Sequence, residues 1–224
     1  MCYLYSCAVS DVRAEQQQKG ITMETRIARS EKVRQLTLAA MLTAIVVVLQ
    51  LLGSFIRFGT FSISLVLIPI VIGASLLGWQ LGAWLGLVFS VVVLLSGDAA
   101  PFLAVNSFGT ILTVLLKGTL AGLVSGLVYR TIADKGHPLI AVYAAAVVCP
   151  IVNTGVFLIG CRIFFWDTIC GWGAAAGFRN VGAYIIGGLV GFNFLFELLF
   201  NVVLSPVVVR LVQIWQGKRA ADQN

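Results

Sequence analysis

The chain has 224 residues, of which 59% are hydrophobic and only 11% are charged, and its formal net charge is +6. This charged fraction excludes an ordinary soluble domain, in which charged residues make up about 25%. The basic residues stand near the ends of apolar runs, where they contact anionic lipid and set helix orientation, so nucleic acid is not implied. The sequence predicts an integral membrane protein.

The N-terminal region is polar and has no apolar core, so residues 1–22 are predicted to be neither a signal peptide nor a transmembrane segment. Met23 opens a second candidate start, Met-Glu-Thr-Arg, followed by a basic lead-in. We therefore expect a disordered, basic extension over residues 1–32, a membrane domain over residues 33–212, and a cytoplasmic tail over residues 213–224.

Six apolar runs approach the ~20 residues that a helix needs to cross a bilayer. They lack the alternating pattern of an outer-membrane barrel, so the predicted fold is an all-α bundle of six transmembrane helices. We expect Pro150 to interrupt the fifth span. The predicted spans are Val33–Gly53, Phe61–Leu77, Leu81–Leu95, Phe108–Tyr129, Leu139–Phe165 and Tyr184–Val212.

The distribution of flanking Lys and Arg residues predicts that both termini are cytoplasmic. In that orientation three loops face outward: one containing Arg57, one over Asp98–Asn106, and one over Cys161–Asn180 that is glycine-rich and aromatic from Trp166 onward. The inner ends then hold most of the basic residues, namely Arg26, Arg29, Lys32, Arg34, Arg130, Lys135, Arg210, Lys218 and Arg219.

The fourth span carries glycines four residues apart, at Gly118, Gly122 and Gly126. This spacing places them on one helix face and allows another helix to approach closely. The same span carries Lys117 in its interior. A lysine within a membrane span is costly, and it marks either a functional site or a structural ion pair.

The sixth span carries Asn193, Glu197 and Asn201 on one helix face, which must point into the bundle because lipid excludes polar side chains. Two interpretations follow. In one, Lys117 and Glu197 form a structural ion pair or Lys117 snorkels toward a headgroup.

In the other, favoured interpretation, a pocket open to the outside binds a small molecule. Four polar residues line it within the spans, and the outer loops that cover it contribute the remaining candidates. These residues are Lys117, Asn153, Asn193 and Glu197 from the spans and Arg57, Asp98, Phe102, Asn106 and Trp166 from the loops.

Enzymatic chemistry is not expected, because the predicted spans contain no histidine, no aspartate and a single glutamate. The five cysteines have no metal-binding spacing, and Cys161 and Cys170 are expected to be free thiols. We expect neither a metal nor a cofactor.

The chain resembles the substrate-binding (S) components of energy-coupling factor (ECF) vitamin transporters, from about Arg34 to Arg210. Beyond size and predicted topology, the first span carries the family's alanine pair, Ala40 and Ala44. Pro101-Phe102 and Gly191-Phe192-Asn193 resemble the riboflavin, pantothenate and folate branch. Riboflavin binders often carry a lysine after that asparagine, whereas this chain has Phe196 and Glu197.

The resemblance implies a high-affinity membrane subunit for vitamin uptake in the cell membrane of a bacterium. It implies docking through Ala40 and Ala44 on a transmembrane coupling subunit, which works with two ATP-binding subunits, and toppling of the chain to release the vitamin. This chain has no phosphate-binding loop of its own. A slight positive excess in the outer half suits a carboxylate such as pantothenate. The alternative is a self-sufficient secondary transporter or channel that uses Lys117 and Glu197 as a relay.

Overall fold

A computed structural model describes residues 31–55, 57–58, 61–62 and 65–221, without the side chains of residues 57, 58, 61, 62, 192 and 216–221. The expected extension lies outside this description except for its last two residues, which are helical. The chain divides into two compact units, Met1–Ala40 and Met41–Asn224. Of the first unit the description covers only the beginning of the first helix, and the cavity and contacts described below belong to the second.

The described part of the chain is almost entirely helical. The exception is a short antiparallel ladder, β1 (Arg57–Phe58) with β2 (Phe61–Ser62), in which Arg57 faces Ser62. The helices are α1 (Glu31–Phe55), α2 (Leu67–Leu77), α3 (Trp79–Leu95), α4 (Ala100–Leu103), α5 (Ser107–Ala133), α6 (Pro138–Phe164), α7 (Trp166–Ala175), α8 (Val181–Tyr184), a π-helix (Ile185–Leu189) and α9 (Gly191–Ala221).

Four of these helices are long and apolar enough to cross a membrane: α1, α5, α6 and the Asn193–Trp215 part of α9. The apolar helices α2 and α3 have 11 and 17 residues and fall short of that length. The prediction of a multi-pass, all-α membrane protein is confirmed, whereas the count of six crossings stays a prediction.

The glycine seam, defined as Gly82 and Gly86 of α3 and Gly118 and Gly122 of α5, brings two helix backbones together. A Cβ atom on Gly86 would collide with the carbonyl oxygen of Gly118, and one on Gly122 would collide with that of Gly82. A Cβ on Gly126, further along α5, would lie 2.5 Å from Cα of Trp79. The predicted close approach along α5 is therefore confirmed, and it leaves no room for a side chain.

Two of the three prolines within the predicted spans, Pro69 and Pro150, fit into helices without a break, contrary to the expectation for Pro150. Pro150 does not interrupt its span, because α6 runs unbroken from Pro138 to Phe164. The proline removes one backbone hydrogen bond, which a long helix held by its neighbours tolerates. Pro69 lies in the first turn of α2, where its missing N–H has no partner in the helix to lose.

Three further boundaries correct the sequence prediction. The segment predicted as a loop from Trp166 forms α7, because Ile169 and Gly173 pack into the interior. The predicted second span begins as strand β2, and its helix starts only at Leu67. The predicted sixth span is not continuous: α8 and the π-helix precede a break at Val190, after which α9 begins.

Candidate functional site

A cavity of about 410 Å³ lies at the end of the bundle where α3 and α6 end and α5 and α9 begin. Its wall combines aromatic and aliphatic side chains with several polar ones, which is typical of a small-molecule site. The lining residues are Gln50, Phe89, Val93, Asp98, Ala99, Pro101, Phe102, Thr110, Thr113, Val114, Lys117, Asn153, Thr154, Phe157, Phe165, Trp172, Tyr184, Leu189, Val190, Asn193 and Glu197.

Lys117 reaches the cavity from the middle of α5. Its Nζ lies 5.3 Å from the ring centroid of Phe157 and 5.7 Å from that of Phe89. Both rings are within the range of a cation–π contact. Within the described part of the chain, no carboxylate lies within the 4.0 Å of an ion pair with Lys117, Glu197 included. The structure therefore does not show the ion pair between Lys117 and Glu197 that the alternative interpretation expects.

The polar face of α9 points into the bundle, as the four-residue spacing predicted. Glu197 and Asn201 are each 3% exposed. Asn193 Nδ2 donates a hydrogen bond to Glu197 Oε1 at 3.0 Å, and Asn201 Nδ2 donates to the backbone oxygen of Glu197 at 2.8 Å. Asn193 and Glu197 line the cavity, whereas Asn201 lies one turn further along and does not.

Asp98 accepts hydrogen bonds from side chains of α1 and of its own turn, where the chain passes from α3 into α4. Its Oδ2 accepts hydrogen bonds from Gln50 Nε2 at 2.8 Å, Ser54 Oγ at 2.7 Å and Ser96 Oγ at 3.1 Å. Hydrogen bonds to a charged acceptor are stronger than neutral ones. Asp98 therefore ties the end of α1 to this turn while lining the cavity.

Unpaired acceptors are concentrated at the cavity. In the part of the chain that the structure describes, five buried side-chain oxygens have no hydrogen-bond partner, and four of them belong to lining residues. A buried polar atom without a partner is uncommon and calls for an explanation, such as a ligand or an ordered water. The four oxygens are Gln50 Oε1, Asn153 Oδ1, Asn193 Oδ1 and Glu197 Oε2.

Phe102 of α4 organises the aromatic wall. Its ring meets three others edge-on, with centroid distances of 5.5 Å to Phe157, 5.2 Å to Phe165 and 5.3 Å to Trp172. Edge-on pairs of this kind add to the stabilisation from burial alone. The cluster connects α4, α6 and α7, so the short helices between the longer ones form part of the cavity wall.

Six of the nine side chains predicted for the site line the cavity, namely Asp98, Phe102, Lys117, Asn153, Asn193 and Glu197. Two do not. Asn106 caps α5, with Oδ1 accepting from the backbone N–H of Gly109 at 2.9 Å. Trp166 lies 4.4 Å from the guanidinium carbon of Arg162, measured to its ring centroid. The side chain of Arg57 lies outside the described part of the chain.

Sequence reasoning missed Gln50, Trp172 and Tyr184 among the lining residues. Gln50 had a detectable signal, because an amide within an apolar span follows the same rule that singled out Asn193. Trp172 had none, since its placement depends on α7, which was predicted as a loop, and nothing singled out Tyr184 at the start of the predicted sixth span. Cys161 and Cys170 are free thiols in the structure, and the described residues hold no cluster suited to a metal.

Comparison with known proteins identifies the family. The family model of the substrate-specific component of ECF transporters matches residues 34–209. The chain is 27% identical over 199 residues to the pantothenic acid transporter PanT of Lactococcus lactis subsp. cremoris (strain MG1363), covering 81% of this chain and 94% of the relative. No solved structure matches it significantly. The chain therefore belongs to the substrate-specific components of ECF transporters, which bind a transported substrate and are not enzymes.

Proposed function

We propose that this protein is the pantothenate-binding subunit of an ECF transporter in the plasma membrane of a bacterium. In this proposal the chain crosses the membrane six times, keeps both termini in the cytoplasm and opens its cavity to the outside. The pantothenic acid transporter to which it is similar supports the choice of vitamin. The cavity volume of about 410 Å³ is within the range of small-molecule sites, which is consistent with a vitamin as ligand.

Lys117 is the observation that carries the proposal. Its ammonium group lies within about 6 Å of the centroids of two aromatic rings, and no carboxylate of the described chain is in ion-pair range. A half-buried cation among aromatic side chains is costly without a counter-ion, so a ligand that supplies the negative charge gains a charge-assisted contact there. Pantothenate carries one carboxylate, and we assign that group to Lys117.

Binding of pantothenate tests the proposal directly. The full chain, purified in detergent, is titrated calorimetrically with pantothenate and with pantothenol, in which an alcohol replaces the carboxylate. We expect pantothenate to bind about 100-fold more tightly, because only it forms a charge-assisted contact with Lys117. Equal affinities would contradict the role of Lys117, and absence of pantothenate binding would contradict the proposed substrate.

Energy for uptake is proposed to come from partner subunits, a transmembrane coupling protein and two ATPases. Family membership supports this, and the chain itself has no phosphate-binding loop. Ala40 and Ala44 of α1 are both exposed and stand four residues apart. We assign them to the docking face, since small residues permit close contact between helices.

Copurification tests the docking face. We expect Ala44→Trp to abolish recovery of the coupling subunit with the tagged chain while leaving pantothenate affinity unchanged. Ile45→Trp is the matched control, because Ile45 is the next residue on α1, is 43% exposed and lies on another side of the helix. Equal loss of the complex in both variants would contradict a dedicated face. Uptake into vesicles by this chain alone would instead support a secondary transporter.

A further inference from the structure

The groups at the cavity that lack a partner in the described chain are of two kinds, one positively charged donor and several neutral or acidic acceptors. Among the described residues, Lys117 is a donor without an ion-pair partner, and four oxygens on lining residues are acceptors without a donor. The carboxylate of a ligand can pair with Lys117, but it cannot donate a hydrogen bond to the four oxygens. The acceptors require N–H or O–H groups, which an acid alone does not provide.

Two carboxylate–amide pairs set the direction of the amides: Asp98 with Gln50, and Glu197 with Asn193. In each pair the amide nitrogen donates to the carboxylate, at 2.8 Å and 3.0 Å respectively. Because the amide nitrogen is the donor in both contacts, the amide oxygen of each pair is turned away from the carboxyl oxygen that accepts. The carbonyl oxygens of Gln50 and Asn193 are thereby left as the unpaired atoms.

We propose that these amide oxygens, together with Asn153 Oδ1, receive the hydrogen-bond donors of the ligand, and that Asp98 and Glu197 are positioning residues that keep them oriented as acceptors. The proposal rests on the proposed function and extends it, because it assigns a second chemical requirement to the ligand. The substrate class is a carboxylate that also carries hydroxyl or amide N–H groups. Pantothenate has two hydroxyls and one amide N–H.

Asn201 provides an internal comparison. It is as buried as Glu197 and lies on the same face of α9, yet it does not line the cavity. Its amide nitrogen bonds a backbone oxygen, and its own backbone oxygen accepts from Ser205 Oγ at 2.7 Å. Asn201 is thus a buried amide on the same helix face whose side chain lies outside the cavity, so its replacement changes that face without removing a lining group.

The test compares pantothenate with N-(3,3-dimethylbutanoyl)-β-alanine, a deoxy analogue that keeps the carboxylate and the amide but lacks both hydroxyls. In the wild-type chain we expect the dissociation constant of the analogue to be about 100-fold higher, because two hydrogen bonds are lost and their acceptors stay unpaired. Similar dissociation constants for the two ligands would overturn the inference without any variant being needed.

Asn193→Leu locates the acceptor. We expect it to weaken pantothenate binding at least about 10-fold and to change binding of the deoxy analogue by less than about threefold. Asn201→Leu is the matched control, since Asn193 and Asn201 are amides one turn away on either side of Glu197, and it should leave the ratio of the two dissociation constants unchanged. An equal loss of both ligands in Asn193→Leu would overturn the inference.

Glu197→Gln tests the positioning role. The new amide can donate to Asn193 as well as accept from it, so the orientation is no longer imposed, and the ratio of dissociation constants should fall. In the Asn193→Leu background the same change should leave the ratio as it is. A lower unfolding temperature with an unchanged ratio would show a purely structural role and overturn the assignment. If the wild-type chain binds the analogue but not pantothenate, the inference and the proposed substrate both fail. If it binds both ligands with similar dissociation constants, only this inference fails.

Discussion

The glycine seam and the cavity are both buried within the second unit, yet they differ in how their buried polar atoms are hydrogen-bonded. Along the seam, Ser90 Oγ donates to the backbone oxygen of Gly86 at 3.0 Å and Ser125 Oγ to that of Gly122 at 3.1 Å. At the cavity, four buried oxygens of the described chain have no donor. The contrast indicates that the seam serves packing alone, whereas the cavity keeps hydrogen-bonding capacity for something else.

The largest effect is expected at the seam. Gly122→Leu would drive a side chain into the backbone of α3 at Gly82, where even a Cβ atom does not fit. We expect a loss of more than about 4 kcal/mol and little recovery of folded protein in detergent, measured by size-exclusion chromatography and thermal unfolding. Gly155→Leu is the control, because a Cβ atom on Gly155 of α6 would meet nothing within 4 Å. Similar damage in both variants would show that the seam is not specially close-packed.

Asp98→Ala should have the next largest effect. It removes the acceptor of the Gln50 amide, whereas Ser54 Oγ and Ser96 Oγ also have backbone oxygens within reach, so we expect a loss of about 1–3 kcal/mol in the free energy of unfolding. Asp134→Ala is the control, since Asp134 is exposed in the turn after α5. Its Oδ2 lies 3.7 Å from Nε of Arg130, which is in the last turn of α5. That pair should contribute less than about 1 kcal/mol. Equal unfolding temperatures for the two variants would remove Asp98 from its proposed structural role.

The smallest effect is expected for Asn106→Ala. Loss of the helix cap of α5 should lower the free energy of unfolding by about 1 kcal/mol, detectable by denaturant titration. Because Asn106 does not line the cavity, pantothenate affinity should not change. A selective loss of affinity with unaltered stability would restore the sequence-based assignment of Asn106 to the binding site.

The long helices and their polar faces were predictable because membrane burial makes each polar residue informative. Lys117 and Glu197 could be assigned to a site from that rule alone, and both line the cavity. The helical glycines were predictable for a similar reason, since their four-residue spacing defines one face.

The connecting segments were not predictable from local pattern. Glycine and aromatic residues favour a loop in isolation, but α7 is stabilised by burial of Ile169 and by contact of Trp172 with Phe102. The side chain of Asn106 suits a helix cap and a ligand contact equally well. Only its hydrogen bond from the backbone N–H of Gly109 identifies it as a cap. Tertiary contacts decide such positions, and a single sequence does not contain them.

The central claim is that Lys117 binds the anionic group of the ligand. The most direct measurement titrates pantothenate into the wild-type chain and the Lys117→Met variant, and records thermal unfolding of both without ligand. Lys135→Met, at an exposed connector, controls for net charge. We predict about 100-fold weaker binding in Lys117→Met, with a ligand-free unfolding temperature that is unchanged or higher, because the variant removes a half-buried charge that has no ion-pair partner in the described chain. Unchanged affinity together with a lower unfolding temperature, recovered by adding Glu197→Leu, would contradict the claim and make Lys117 a structural partner of Glu197.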